Sequence, residues 1–206
     1  MRSCILTFLG IFLLTNCIWG QDQDLPVSEL QKCSRARNIS DQQAIQYYQY
    51  PSLNKYDQRF LRLDVNAEPG SRAISGNIYM TCTALAALDT FIIELRSNMI
   101  VDSFFVNGVR KTATQSADNV FVPLSPSIAS GTLFNIQVYY RGTASSGAIY
   151  TGTTNGLTYT ASLSESYQAR EWYPAKQILT DKLDSLEVWV TTSVGNRAGA
   201  NGLLQD

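Results

Sequence analysis

Histidine is absent from the chain. That removes the commonest general base, the usual Ser-His-Asp and Cys-His arrangements of nucleophilic catalysis, and almost every catalytic zinc site, which take imidazole ligands. An excess of one charge is also lacking. Lysine and arginine total 16 against 17 aspartates and glutamates, a formal net charge of −1, so no basic field is available to hold a phosphate backbone and nucleic acid is not an expected partner. There is no glycine-rich phosphate loop, no G-x-S-x-G elbow, no cysteine pair at zinc-knuckle spacing and no H-E-x-x-H. What remains is a chain of 206 residues, 45% hydrophobic and 16% charged, which is the balance of a folded domain with one core. Its chemistry points to binding rather than to a complete enzyme.

The N-terminus accounts for part of this composition. Arg2 precedes an apolar run from Cys4 to Leu14, and Asn16, Cys17, Ile18, Trp19 and Gly20 lead abruptly into Gln21, Asp22, Gln23 and Asp24. A basic residue, an apolar run too short for a membrane span and a small residue at the change of polarity read as a signal peptide over residues 1–20. A lipoprotein signal ending at Cys17 is the weaker reading, because Leu14-Thr15-Asn16 lacks the small residue that usually precedes a lipidated cysteine. The mature protein is expected to be exported, to a periplasm or the extracellular space, with no membrane span. Two cysteines then remain, Cys33 and Cys82. They read either as a disulfide, worth roughly 4 kcal/mol in the chain-entropy model, or as unpaired thiols. In the second case Cys82 is a small core residue, sharing one face of a period-two stretch with Ile74, Gly76, Ile78 and Met80.

Residues 21–54 read as a short helical or irregular lead-in. Ser40 and Gln43 resemble a capping box before Ala44, Ile45, Tyr47 and Tyr48, and Pro51 ends it. Asn38-Ile39-Ser40 is a glycosylation sequon in a eukaryotic host. From Tyr56 onward the period changes to two, with Leu61, Leu63 and Val65 on one face and Arg62, Asp64 and Asn66 on the other. Further strands are predicted near 74–83, 88–95, 100–106, 109–114, 120–124, 134–140 and 186–190, with Asn107-Gly108 as the best hairpin turn. Residues 142–156, rich in glycine, serine and threonine, read as a long surface excursion holding at most a short strand. Many short strands with no long helix between them predict an all-β fold, a saddle-shaped antiparallel β-sandwich over residues 55–206.

One segment is unusual for a simple sheet because it mixes charge with aromatic rings: Ser164-Glu165-Ser166-Tyr167-Gln168-Ala169-Arg170-Glu171-Trp172-Tyr173-Pro174, followed by Thr180-Asp181-Lys182-Leu183-Asp184-Ser185 and ending at Asn201-Gly202-Leu203-Leu204. This run resembles the N-terminal domain of zinc aminopeptidases of the aminopeptidase N and leukotriene A4 hydrolase type. The opening from Tyr56-Asp57 through Phe60, Arg62-Leu63-Asp64 and Ile74-Ser75-Gly76 fits the same pattern, as does Val101-Asp102-Ser103 through Val106-Asn107-Gly108. The resemblance covers about residues 55–204. It departs at Ala175, where many relatives carry cysteine, and at Leu163, where several carry a glutamine beside the substrate.

The resemblance implies an all-β domain that closes one side of the active site of a thermolysin-like catalytic domain. That second domain of the same polypeptide would hold the zinc. This chain is expected to carry no cofactor itself and to be incomplete at its C-terminal end. The family meets the free amino group of its peptide substrate with an acidic or amide side chain five residues before the arginine of this motif, which Arg170 places at Glu165. A carboxylate there would give the substrate ammonium a charge-assisted hydrogen bond and fix the register of the first peptide bond. The plain alternative makes Glu165 a loop carboxylate facing water. Trp172, Tyr173 and Pro174 read as packing residues, Arg170 as a residue that orders the loop, and Asp181 with Lys182 as a solvated pair of little energetic weight. The alternative function is a free-standing exported β-sandwich that binds sugar or protein through its aromatic loop. Under either reading, the purified chain should release no chromogenic amine from aminoacyl substrates with zinc present, because it has no imidazole to hold a catalytic ion. A zinc-dependent rate would overturn that.

Overall fold

The inward residues of the long strands alternate with polar ones along the sequence, and they decide how the sheets face each other. The computed structural model describes residues 49–164 and 167–205. The expected signal peptide, most of the expected lead-in and Cys33 therefore lie outside the described residues, as does Glu165. A short 3-10 helix, Pro51–Lys55, runs into β1 (Tyr56–Asn66), on which Leu61, Leu63 and Val65 are buried while Phe60, Arg62 and Asp64 lie on the opposite, half-open face. The same alternation buries Ile74, Ile78, Met80 and Cys82 of β2 (Ala73–Ala84), and Phe134, Ile136, Val138 and Tyr140 of β8 (Leu133–Thr143). Cys82 is a core residue with a free thiol, and burial pushes that thiol up in pKa.

The remaining strands are β3 (Leu88–Glu94), β4 (Met99–Val106), β5 (Val109–Lys111), β6 (Thr114–Ser116), β7 (Asn119–Ile128), β9 (Ile149–Thr154), β10 (Leu157–Ser162) and β11 (Ser185–Thr191). They form a six-stranded sheet in the order β11-β1-β2-β8-β4-β5, a three-stranded sheet β3-β7-β6, and the hairpin β9-β10. The fold is all-β and sandwich-like, as the sequence predicts. Phe91 of the small sheet enters the inner face of the large one, with ring centroids 5.8 Å from Phe104 and 6.0 Å from Phe134. Among the described residues no helix is long and apolar enough to cross a membrane.

Three details differ from the sequence reading. The stretch expected as one strand over 109–114 divides: β5 pairs with β4 in the large sheet, whereas β6 pairs with β7 in the small one, so this stretch is where the chain passes between layers. The excursion over 142–156 holds a full hairpin with the following residues, because Asn155 (φ 50°) and Gly156 (φ 77°) accept the same left-handed turn geometry as Asn107 (φ 49°) and Gly108 (φ 76°). Finally, β11 pairs with β1 in parallel, in a sheet expected to be antiparallel throughout.

That parallel strand continues the inner face of β1, with Leu186 beside Leu61, Val188 beside Leu63 and Val190 beside Val65. Leu61 is 3% exposed, however, whereas Leu186 is 55% exposed. Among the described residues, the second layer ends before it reaches this edge. An uncovered apolar edge strand invites pairing with further polypeptide.

Gly76 shows how tightly the central strands approach. A Cβ there would stand 2.0 Å from the Asp64 carbonyl oxygen and 3.1 Å from Val65 Cα, both backbone atoms of β1 that cannot swing aside. Gly76→Ala is expected to cost about 1–3 kcal/mol or more, the range for forcing extra volume into a packed interior, whereas Asn77→Ala on the open face should cost much less. Urea unfolding with an unchanged slope measures both, and equal midpoints for the two variants would contradict the close approach.

Candidate functional site

The charged and aromatic segment begins where β10 ends, and its entrance is fixed by backbone and amide contacts. The Leu163 amide donates to the Ala148 carbonyl at 3.2 Å. Gln168 is buried, and with its amide nitrogen turned toward the chain it donates to the Leu163 and Gly147 carbonyls at 3.1 and 2.9 Å. The Trp172 indole N–H donates to Ser164 Oγ at 2.6 Å. Tyr167 takes a left-handed φ of 71°. Glu165 itself lies outside the described residues, but on either side of it Ser164 is hydrogen-bonded to Trp172 and Gln168 to the Leu163 and Gly147 carbonyls.

The segment then makes a 3-10 turn, Ala169–Glu171, and runs back along the end of β3. Arg170 does order this loop. Its guanidinium Nη1 donates to Glu94 Oε1 at 3.1 Å, and its backbone N–H donates to Gln177 Oε1 at 3.2 Å. Glu94 Oε2 accepts the Gln177 backbone N–H at 2.9 Å, while Glu94 and Ala175 exchange backbone hydrogen bonds of 3.0 and 2.9 Å. Glu171, 2% exposed, is held by Arg96 Nη1 at 2.8 Å and by the Ser145 hydroxyl. The Arg96 amide donates to the Arg170 carbonyl at 2.9 Å, and Asn98 Nδ2 donates to the Glu171 carbonyl at 3.1 Å. Burial pushes the Glu94 carboxyl up in pKa, against the opposing pull of the Gln177 amide and the Arg170 guanidinium.

Lys176 has a nearly buried side chain, and its ammonium is satisfied on three sides. It donates to the Tyr56 carbonyl and to Asp181 Oδ2, and it lies 4.3 Å from the centre of the Tyr56 ring. This corrects the reading of Asp181 and Lys182 as a solvated pair. Asp181 pairs instead with buried Lys176 and accepts the Gln58 amide at 3.4 Å, while Lys182 stays exposed. Burial raises the Asp181 carboxyl and Lys176 opposes that shift. Trp172 and Tyr173 pack half-buried against the core, 4.6 Å apart edge to face, and Pro174 is buried, as expected of packing residues.

Sequence reasoning missed Glu94, Glu171, Arg96 and Lys176. A signal existed for Glu94: it is the one charge inside the apolar run Phe91-Ile92-Ile93-Glu94-Leu95, on a strand whose neighbours are buried. Among the described residues no three Cys, Asp or Glu side chains converge as a metal site would require, and the chain offers no imidazole, so the described residues do not fit a catalytic zinc ion.

No protein-family model matches the chain, and no curated protein matches it. Solved structures do. An M1 zinc metallopeptidase from Deinococcus radiodurans is 26% identical with a TM-score of 0.64, over 72% of this chain and 35% of that one. A variant of the Deinococcus radiodurans enzyme bound to a Tyr-Ser-Ala substrate is 26% identical with a TM-score of 0.64, over 74% and 36%. A variant of a two-domain M1 zinc metallopeptidase bound to L-arginine is 27% identical with a TM-score of 0.63, over 72% and 35%. The chain thus spans about a third of the length of the structures it matches, a share that fits the N-terminal domain of such a peptidase.

Removing one partner of a buried ion pair strands the other charge, at about 3–5 kcal/mol. Arg170→Met should therefore destabilise the domain by about that much near neutral pH. A buried carboxyl whose folded pKa is raised contributes most below its unfolded pKa, and that contribution is lost as pH rises through the folded pKa. The deficit of Arg170→Met relative to wild type should accordingly shrink as pH falls toward about 4, below which Glu94 is protonated in both folded and unfolded chains. Urea unfolding across pH 4–8 checks this, and a deficit that is constant with pH would mean Glu94 is not the stranded group.

Proposed function

We propose that this chain is the substrate-facing N-terminal β domain of an exported zinc metalloaminopeptidase of the aminopeptidase N and leukotriene A4 hydrolase type, working with a catalytic domain further along the same polypeptide. The observation that carries this reading is the combination of an M1-peptidase-like β domain with a complete lack of histidine. Such a domain can shape and hold a peptide but cannot bind the ion that hydrolyses it. The open apolar edge at β11, where further polypeptide could add, supports the same reading, and the resemblance of residues 1–20 to a signal peptide supports export.

Within this reading Glu165 meets the ammonium of the peptide N-terminus. The framework on either side suits that task, because a charge that fixes substrate register must itself be held in place. Ser164 and Leu163 are tied to Trp172 and Gln168, and Arg170 is tied to Glu94. A carboxylate presented from a partly open cleft to an ammonium makes a charge-assisted hydrogen bond, and losing one partner of such a pair costs on the order of 2–5 kcal/mol. Partial solvent access favours the lower end of that range. Zinc, held in the catalytic domain, would supply the hydrolytic chemistry, and no step of it falls to residues of this chain.

In the full-length enzyme, Glu165→Ala should lower kcat/KM by roughly 30-fold or more on peptides with a free amino group. Amino-acetylated peptides should lose nothing, because they never made the contact. Steady-state rates on both substrate types give the comparison, and equal losses on both would assign Glu165 a purely structural role.

A further inference from the structure

One buried carboxylate governs the geometry of the turn from Arg170 to Gln177. In the run Phe91-Ile92-Ile93-Glu94-Leu95, at the end of β3, every neighbour of Glu94 is apolar and buried, and Glu94 itself is 1% exposed. An aliphatic side chain would suit such a position better on stability grounds, since the desolvation of a buried ion pair offsets much of its Coulomb attraction. What the carboxylate adds is direction. Its two oxygens take the two ends of one turn, Arg170 Nη1 at 3.1 Å and the Gln177 N–H at 2.9 Å, and Gln177 Oε1 closes the ring on the Arg170 N–H at 3.2 Å.

The neighbouring residues reinforce that geometry with opposite sign. Arg96, two residues along, pairs with Glu171, the residue after Arg170, at 2.8 Å. The two pairs are therefore crossed in charge, Glu94 with Arg170 and Arg96 with Glu171. Exchanging partners would set carboxylate against carboxylate and guanidinium against guanidinium. The arrangement admits one register of the loop on the β3 end and penalises the other.

We propose that Glu94 is a positioning residue: through the Arg170 guanidinium and the Gln177 amide it sets the turn behind the substrate-facing segment, and so the affinity of that segment for a peptide amino terminus. The inference rests on the function proposed above and goes beyond it, since Glu94 touches no substrate. Loss of the clamp should loosen the 170–177 turn without removing the β-sandwich, and it should weaken binding more than chemistry.

The test uses Glu94→Gln in the full-length enzyme, with Glu94→Asp and Arg170→Lys as variants that keep the charges at altered reach. Glu94→Gln should raise KM for free-amino peptides about tenfold with kcat changed less than twofold, and should leave amino-acetylated peptides unaffected. Glu94→Asp should recover part of the KM, and Arg170→Lys should fall between it and Glu94→Gln. Amide exchange at 170–177 should quicken at least about tenfold in Glu94→Gln while the amides of β1, β2 and β8 keep their protection. A fall in maximal rate with unchanged KM would mean that Glu94 only maintains the folded fraction, and would overturn the proposal. Unchanged exchange at 170–177 would overturn it equally. If Glu94→Gln does not fold, unchanged KM and exchange in both charge-retaining variants would do the same. A wild-type enzyme with fast 170–177 exchange in the variant but no activity on any aminoacyl peptide would leave the clamp standing and overturn the function on which its purpose rests.

Discussion

The insertion of Phe91 between the two sheets is the contact on which the rest of the molecule depends. Its ring is fully buried and lies within 6.0 Å of Phe134, 5.8 Å of Phe104 and 4.7 Å of Tyr56, so one side chain from the small sheet touches β8, β4 and the start of β1 at once. Aromatic contacts of this kind add to the burial of a large apolar area. They also fix where β3 runs, and the end of β3 is where the loop is held. Phe91 and Glu94 stand on the same short strand, so the packing that joins the sheets also sets the position of the carboxylate that anchors the loop.

Among the described residues, the buried carboxylates of Glu94 and Glu171 and the buried ammonium of Lys176 each meet a partner. Glu94 is met by Arg170 and Gln177, Glu171 by Arg96 and Ser145, and Lys176 by Asp181, the Tyr56 carbonyl and the Tyr56 ring. Each of these pairs joins residues far apart in sequence or ties the loop to the sheet. As stabilising devices they are inefficient, because burying both ions offsets much of their attraction. As specifiers of geometry they are effective, because a loop of this length without them would be free to take several registers on an apolar surface. The price of that specificity is desolvation, and it falls on the loop that these pairs hold against the sheet.

On the proposed reading, recognition and chemistry are divided between domains. A sheet framework with no imidazole holds and orients the end of a peptide, and a metal-bearing domain acts on the bond next to it. The division explains why the segment richest in charge and aromatic rings also carries the densest set of ties to the core. It fits, too, with the β11 edge, whose apolar inner side lies open among the described residues where the sheet could continue.

Alternation at period two determined most of the longer strands and their inward faces by itself. Leu61, Leu63 and Val65, or Phe134, Ile136, Val138 and Tyr140, can be read as inward faces because a strand has only two sides and water decides between them. Asn107-Gly108 likewise announced its turn, since few residue pairs tolerate two positive φ angles. The absence of histidine removed the imidazole ligands on which most catalytic zinc sites depend. Sequence could not place Glu94 against Arg170, 76 residues away, or turn Asp181 from Lys182 toward Lys176. It also could not show that β11 would lie parallel to β1 or that 109–116 would divide between two sheets. A charge carries no local pattern that names its distant partner, and strand order follows from which faces can be buried together once the sheets meet. Local periodicity therefore specified the strands, while the layers, the buried ion pairs and the shape of the loop were decided only by tertiary packing.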